Sequence, residues 1–106
     1  MKSQRLSFLN TMLWTSILIE VQTSDGNTIW KKDNLGHGKR VNCELKNCGE
    51  LKDMTQLKVI VFPNGAHGKE YTFYQRDFLY YTNNNHESKF TAEGMRSAWD
   101  LVVSQE

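Results

Sequence analysis

Residues 57–74 of the chain read LKVIVFPNGAHGKEYTFY, and this stretch is its strongest structural signal. Apolar residues fall on both faces of the alternating run Leu57–Phe62, which predicts a strand covered on both sides near the middle of a sheet. Turn residues follow at Pro63–Gly68, where proline and an Asn-Gly pair favour a change of direction. Aromatic and β-branched residues at Tyr71–Tyr74 predict the returning strand. The stretch therefore predicts two antiparallel strands joined by a loop.

The rest of the chain repeats this pattern of short alternating runs between turn residues. Trp14–Thr23 places its aliphatic residues on one side and is the clearest half-buried strand. The Asp25-Gly26 pair predicts a tight hairpin that returns through Thr28–Lys32. Residues 3–13 fit a helix and a strand equally. The remaining predicted elements are strands over Lys39–Lys46, Phe78–Tyr81, Lys89–Ala92 and Ser97–Gln105, a bulge or corner at Gln75–Asp77, and a short helical turn within Glu50–Gln56.

Seven or eight short strands without a long amphipathic helix are typical of an all-β antiparallel sandwich (jelly-roll or Greek-key like) or of a small barrel. Of these two folds we expect the sandwich. It is predicted to form a single domain over residues 1–106. Charges along Lys31-Lys32 and Lys39–Lys46 are suited to protecting edge strands from association. The predicted core comprises Ile17, Ile19, Val41, Val59, Val61, Trp99, Leu101 and Val103.

The charge balance and the apolar runs exclude some classes of protein. Thirteen basic and twelve acidic residues give a net charge of +1, whereas nucleic-acid-binding domains usually carry a strong basic excess. No nucleic acid is therefore expected as a partner. The apolar runs are far shorter than the roughly 20 residues of a membrane-spanning helix, and polar residues interrupt the N-terminal segment, so no signal peptide is predicted. The expected location is cytoplasmic, or outside the cell by export without a signal peptide.

Motifs for metal binding and catalysis are weak. His37, Cys43 and Cys48 have ligand chemistry that suits zinc, but their spacing lacks the close CxxC pair of structural zinc sites. A Cys43–Cys48 bridge is sterically possible, although it closes a very small loop. The chain has no nucleophile-elbow, zinc-protease or phosphate-loop motif. We therefore predict a protein that is not an enzyme and that holds no cofactor or metal.

The turns combine amide, carboxylate and imidazole groups with nearby aromatic rings. Such groups bind vicinal sugar hydroxyls, while a flat ring stacks on the C–H face of a pyranose. Trp14, Tyr80 and Tyr81 are further candidate aromatic contributors. The competing interpretation is that Trp30 belongs to the core and the asparagine run is a solvated turn. The predicted ligand-binding residues are Asp25, Asn27, Trp30, Asn83, Asn84, Asn85 and His86.

In length, strand number and loop chemistry, residues 14–104 resemble the small β-sandwich lectins of fungi and slime moulds. This resemblance implies binding to the glycans or glycoproteins of surfaces, and a homodimer is expected because exposed strand edges associate and paired sites increase avidity. The clustered tyrosines Tyr71, Tyr74, Tyr80 and Tyr81 also resemble those of actinoporin-like and aegerolysin-like cytolysins, which implies a membrane surface as partner. A protein-interaction domain without a small ligand is the third alternative.

Overall fold

The computed structural model describes residues 1–63, 74–95 and 98–105, and these residues form two β-sheets. This confirms the prediction of an all-β chain. The only helical element in those ranges is a 3₁₀ turn at Leu45–Asn47. The strands are β1 (Lys2–Ser3), β2 (Arg5–Asn10), β3 (Ile17–Thr23), β4 (Thr28–Leu35), β5 (Arg40–Glu44), β6 (Gln56–Pro63), β7 (Tyr74–Tyr81), β8 (Glu87–Met95) and β9 (Ala98–Gln105).

The five-stranded sheet has the order β1-β7-β6-β3-β4, so the run Leu57–Phe62 lies near its centre, as predicted. Strand β6 pairs antiparallel with both of its neighbours. The predicted turn and the first part of the returning strand, residues 64–73, lie outside the described residues. The predicted irregularity in β7 is confirmed, because Leu57 pairs with Leu79 while Val59 pairs with Arg76, which leaves one extra residue on β7.

The four-stranded sheet has the order β5-β2-β8-β9. The prediction of purely antiparallel sheets is wrong, because β2 runs parallel to β8, and β1 runs parallel to β7. Strand β2 is inserted between two strands that are distant in sequence, with Phe8 paired to Val41 on one side and to Phe90 on the other. Residues 3–13, which fit two structures equally, thus form mainly strand.

One apolar core lies between the two sheets. The Phe8 ring stacks on Phe90 and on Trp30, with ring centroids 5.0 Å and 5.7 Å apart. All eight predicted core residues belong to this cluster or pack against it, Val41 and Val103 as its half-buried members. The predicted helical turn at Glu50–Gln56 is wrong: the turn forms earlier, at Leu45–Asn47, because the fully buried Leu45 side chain fills the core there.

The loops collect at two opposite ends of the sandwich. One end, here called the Asn84 end, carries residues 24–27 and 82–86, since Thr23 pairs with Leu57 and Gln56 pairs with Tyr80. The other, here called the Trp14 end, carries residues 11–16 and 36–39, since Ile17 pairs with Leu35. Within the described ranges, no helix is long and apolar enough to cross a membrane.

Two charged segments lie on edge strands, as the sequence indicates. Strand β4, which contains Lys31 and Lys32, is an outer strand of the five-stranded sheet, and β5 is an outer strand of the four-stranded sheet. Lys31 is exposed and lies 3.7 Å from the carboxylate of Asp33. Charges on an outer strand oppose pairing with another chain.

Candidate functional site

The predicted asparagine run lies at the Asn84 end, where its side chains tie the loop to the first strands. The Asn84 amide donates from Nδ2 to the Lys2 carbonyl oxygen at 3.1 Å, and its Oδ1 accepts from the His86 backbone N–H at 3.0 Å. Asn85 has a left-handed backbone, with φ 61°, and its N–H donates to Oε1 of Gln4 at 2.9 Å. Asn83 is exposed. The loop residues thus have structural partners within the chain.

Arg5 connects this loop to the neighbouring edge strand. Its Nε donates to Glu44 Oε1 at 2.9 Å, and its Nη2 donates to Asn85 Oδ1 at 3.3 Å. Since Arg5 is on β2 and Glu44 is on β5, one guanidinium joins two strands and the loop. Binding of a ligand by Asn85 would compete with this contact.

The hairpin turn that carries Asp25 and Asn27 lies at the same end. The Asp25 carboxylate accepts from the Thr23 hydroxyl and, at 3.3 Å, from the Asn27 backbone N–H. These two hydrogen bonds hold the pKa of Asp25 below its ordinary value of 3.8, and the bond from the Thr23 hydroxyl has the larger effect. Strand β6 lies between β3, which leads into this turn, and β7, which leads into residues 82–86, so the two loops start about 10 Å apart.

Trp30 is half-buried, and its ring stacks on Phe8 in the core. It therefore contributes to packing, as the competing interpretation of the sequence proposed. The structure brings Asp25, Asn27 and residues 83–86 to one end of the sandwich, where they belong to two separate loops. Ligand binding by these residues stays a prediction.

The Trp14 end has a different character, because large apolar side chains are exposed there. Trp14 is 97% exposed and has a left-handed backbone with φ 59°, which is unusual for a bulky residue. Leu13 and Met95 are 51% and 55% exposed and are bridge partners, with the Leu13 N–H donating to the Gly94 carbonyl oxygen at 3.0 Å. Strained backbone and exposed apolar surface together are features of functional loops.

Asn10 holds the Trp14 loop in place. Its side chain is fully buried, and its Nδ2 donates to the carbonyl oxygens of Thr15 and Leu35, both at 2.8 Å. Its Oδ1 accepts from the Met12 N–H at 2.9 Å. The amide thus satisfies both donors and its acceptor while fixing the loop at two points. The backbone on both sides of Trp14 is therefore anchored by one buried side chain.

A pocket of about 390 Å³ opens beside this loop and is lined by Leu13, Trp14, Thr15, Ser16, Gly36 and His37. This volume lies in the range of about 300–1,000 Å³ typical of small-ligand sites. The His37 ring donates from Nδ1 to the Met12 carbonyl oxygen at 2.8 Å. In the neutral ring Nε2 is then an acceptor. The Thr15 hydroxyl donates to the Leu13 carbonyl oxygen at 3.1 Å and retains acceptor lone pairs.

This pocket was not predicted from the sequence. The pattern placed Trp14, a possible sugar-stacking residue, at the start of a strand. His37 was interpreted as a weak zinc-ligand candidate or as a solvated surface histidine. One feature of the sequence could have indicated the pocket: Trp14 precedes the alternating run of β3 and is followed by two hydroxyl residues. His37 lies at the Trp14 end, whereas Cys43 pairs with Leu6 farther along the sheet. Among the described residues, no three His, Cys, Asp or Glu side chains form a metal-binding group.

No protein-family model matches this chain, and no curated protein sequence matches it significantly. The geometry of the loops therefore carries the proposal that follows.

Proposed function

We propose that the protein is a carbohydrate-binding module, a lectin, that receives a glycan in the pocket beside Trp14. The observation that carries the proposal is an almost fully exposed indole, held by a strained but well-anchored loop, at the mouth of a pocket of suitable size. A fold that keeps an apolar ring exposed at an energetic cost indicates selection for a contact outside the chain.

The chemistry of the pocket suits a pyranose ring. The flat indole can cover the C–H face of the sugar, and Nε2 of His37 and the Thr15 hydroxyl can accept hydrogen bonds from sugar hydroxyls. Because Asn10 already fixes the loop, little conformational entropy is lost when the ligand binds. The proposal thus keeps the predicted class of function and moves the site from the Asn84 end to the Trp14 end.

A homodimer is part of this proposal. One open pocket of this kind binds weakly, and two pockets acting on the same surface gain avidity. Strand β9 is an outer strand of the four-stranded sheet, and its Val102 side chain is exposed, which makes this edge a candidate for pairing of two copies.

A lipid surface is the second candidate ligand. Leu13 and Met95 flank Trp14 as exposed apolar side chains. The exposed cation Lys39 lies in the adjoining loop, and the exposed Arg40 begins β5. Tryptophan favours the headgroup layer of a bilayer, and lysine and arginine favour anionic lipids. This arrangement supports the membrane-binding alternative. A protein-interaction role is the third candidate.

A glycan array and liposome sedimentation on the same protein sample test these candidates. We expect array binding by the wild type, its loss in Trp14→Ala, and its retention in the double variant Asn84→Ala/His86→Ala. Binding that survives Trp14→Ala but is lost in the double variant would return the site to the Asn84 end. Vesicle binding that Leu13→Ser/Met95→Ser removes, without array binding, would support the lipid surface instead. No binding to either surface would reject both.

A further inference from the structure

Two free cysteines lie next to each other at the end of β5. The Sγ atoms of Cys43 and Cys48 are 3.7 Å apart. Cys43 is buried in the core, whereas Cys48 is half-buried and follows the 3₁₀ turn. The Cys48 thiol donates to the Glu44 carbonyl oxygen at 3.5 Å.

The backbone already brings the two residues together. The 3₁₀ turn closes with the Cys48 N–H donating to the Leu45 carbonyl oxygen at 3.0 Å, and the fully buried Leu45 side chain anchors the turn in the core. A disulfide bond is about 2.05 Å long, so the sulfur atoms, 3.7 Å apart, need to approach by roughly 1.7 Å. Rotation of the half-buried Cys48 side chain supplies part of this movement while the strand stays in place.

We propose that Cys43 and Cys48 are a site of reversible oxidation that forms an intramolecular disulfide by exchange with a low-molecular-weight disulfide such as oxidised glutathione. The dithiol lies away from the pocket beside Trp14, so the proposal is independent of the proposed function.

The half-buried Cys48 reacts first. Its thiolate attacks one sulfur of oxidised glutathione, which forms a mixed disulfide and releases one glutathione thiol. Cys43 then attacks the Cys48 sulfur, which forms the internal disulfide and releases the second glutathione thiol. The protein loses two electrons and two protons, and these reduce one glutathione disulfide to two thiols.

The environment of Cys43 supports this order. Burial raises the pKa of the Cys43 thiol far above its ordinary value, and negative charge on the adjacent Cys48 raises it further. A thiol that is protonated and covered by the core is a poor first nucleophile. Once Cys48 is held in a mixed disulfide, its negative charge no longer opposes ionisation of Cys43, so the second step becomes more favourable than an initial attack by Cys43.

Mass spectrometry of the intact protein tests the proposal. The reduced wild type is equilibrated with glutathione redox buffers, quenched with acid and treated with a thiol-alkylating reagent in denaturant. The expected product has lost the mass of two hydrogen atoms and takes up no alkyl group. Cys43→Ala is expected to stop as a glutathione adduct at Cys48. Cys48→Ala is expected to form no glutathione adduct and to take up one alkyl group at Cys43 in the denaturant.

Three results would overturn the proposal. The wild type could remain a dithiol in buffers that fully oxidise a small reference dithiol, it could accumulate as a glutathione adduct, or it could form disulfide-linked dimers. Circular dichroism checks that the alanine variants fold. If Cys43→Ala unfolds, the variant Cys43→Val, which refills the core, is used in its place. Absence of a glutathione adduct on the folded Cys43→Val protein would overturn the proposed order of attack.

Discussion

Asn10 donates from its side-chain Nδ2 to the carbonyl oxygen of Thr15 at 2.8 Å, and this hydrogen bond closes the loop between β2 and β3. The same amide donates to Leu35, so the loop is fixed to the end of β4 as well. The loop that carries Trp14, the most exposed tryptophan of the described chain, thus depends on a fully buried asparagine for its anchoring.

Replacing Asn10 by alanine tests this dependence. Asn10→Ala leaves the Thr15 and Leu35 carbonyl oxygens and the Met12 N–H without their partner, and we expect a loss of about 3 kcal/mol in the free energy of unfolding. Urea denaturation measures it. Asn42→Ala, on the exposed side of β5, is the matched control and is expected to change stability by less than about 0.5 kcal/mol. Equal losses in the two variants would show that Asn10 has no special role.

Removing the Trp14 side chain should separate function from stability. Trp14→Gly relieves the left-handed strain at φ 59°, so the free energy of unfolding should stay constant or rise by up to about 1 kcal/mol, while surface binding is lost. Trp30→Ala is the opposite control, because it removes a ring stacked on Phe8 and should cost about 3 kcal/mol. Denaturation and glycan-array binding are measured for both variants. A large loss of stability in Trp14→Gly would contradict the prediction that this side chain serves binding and not folding.

Two glycines with positive φ provide a second matched pair. A Cβ at Gly94 would lie 2.5 Å from the Ala98 carbonyl oxygen, whereas a Cβ at Gly26 would have no atom within 4 Å. Gly26→Ala should therefore cost only the conformational strain of about 1 kcal/mol. Gly94→Ala should cost about 3 kcal/mol or more because the backbone at Ala98 must also shift. Thermal unfolding of both variants measures the difference. Similar melting temperatures would contradict the predicted clash.

The lowered pKa of Asp25 predicts a pH-dependent contribution to stability. The folded pKa is below the unfolded value, so the stabilisation is fully present above the ordinary value of 3.8 and is lost as the pH falls through the folded pKa. Asp25→Asn should therefore lower the melting temperature at neutral pH and make little difference in strong acid. Thr23→Val, which removes the first donor, should reproduce part of this change. A melting-temperature difference that is constant with pH would contradict it.

Oxidation of the cysteine pair should raise stability. A disulfide between Cys43 and Cys48 closes a loop of about six residues, for which the chain-entropy relation gives roughly 2 kcal/mol. Guanidinium denaturation of the wild type with and without a reducing agent measures this difference, and Cys48→Ala should show none. A less stable oxidised form would show that strain in the small loop exceeds the entropic gain.

The sequence predicted the inward-facing residues well because alternation reports directly on burial. Leu57, Val59 and Val61 in β6, and Trp99 and Leu101 in β9, are buried as predicted. Alternation contains no information about strand direction or partner, however. The parallel pairing of Phe8 with Phe90 joins residues far apart in the chain and could not be predicted from either run alone.

The candidate pocket could not be predicted from the sequence for a related reason. Trp14 and His37 belong to different loops, and only the pairing of β3 with β4 places those loops side by side. Composition favoured the Asn84 end, where polar residues are consecutive, but consecutive asparagines also suit a turn that bonds to itself. The hydrogen bonds of Asn84 to Lys2 and His86 show this structural use.

The insertion of β2 between β5 and β8 also affects synthesis of the protein on the ribosome. Leu6 is flanked by Cys43 on one strand and by Ser88 on the other, so the four-stranded sheet cannot close until β8 has been translated. Translation proceeds at about 5–20 residues per second, so the roughly 80 residues between these strands take about 4–16 s. During that interval β2 lacks one of its two hydrogen-bonding neighbours, and the backbone of Leu6 and Phe8 stays open on that side until β8 pairs with it.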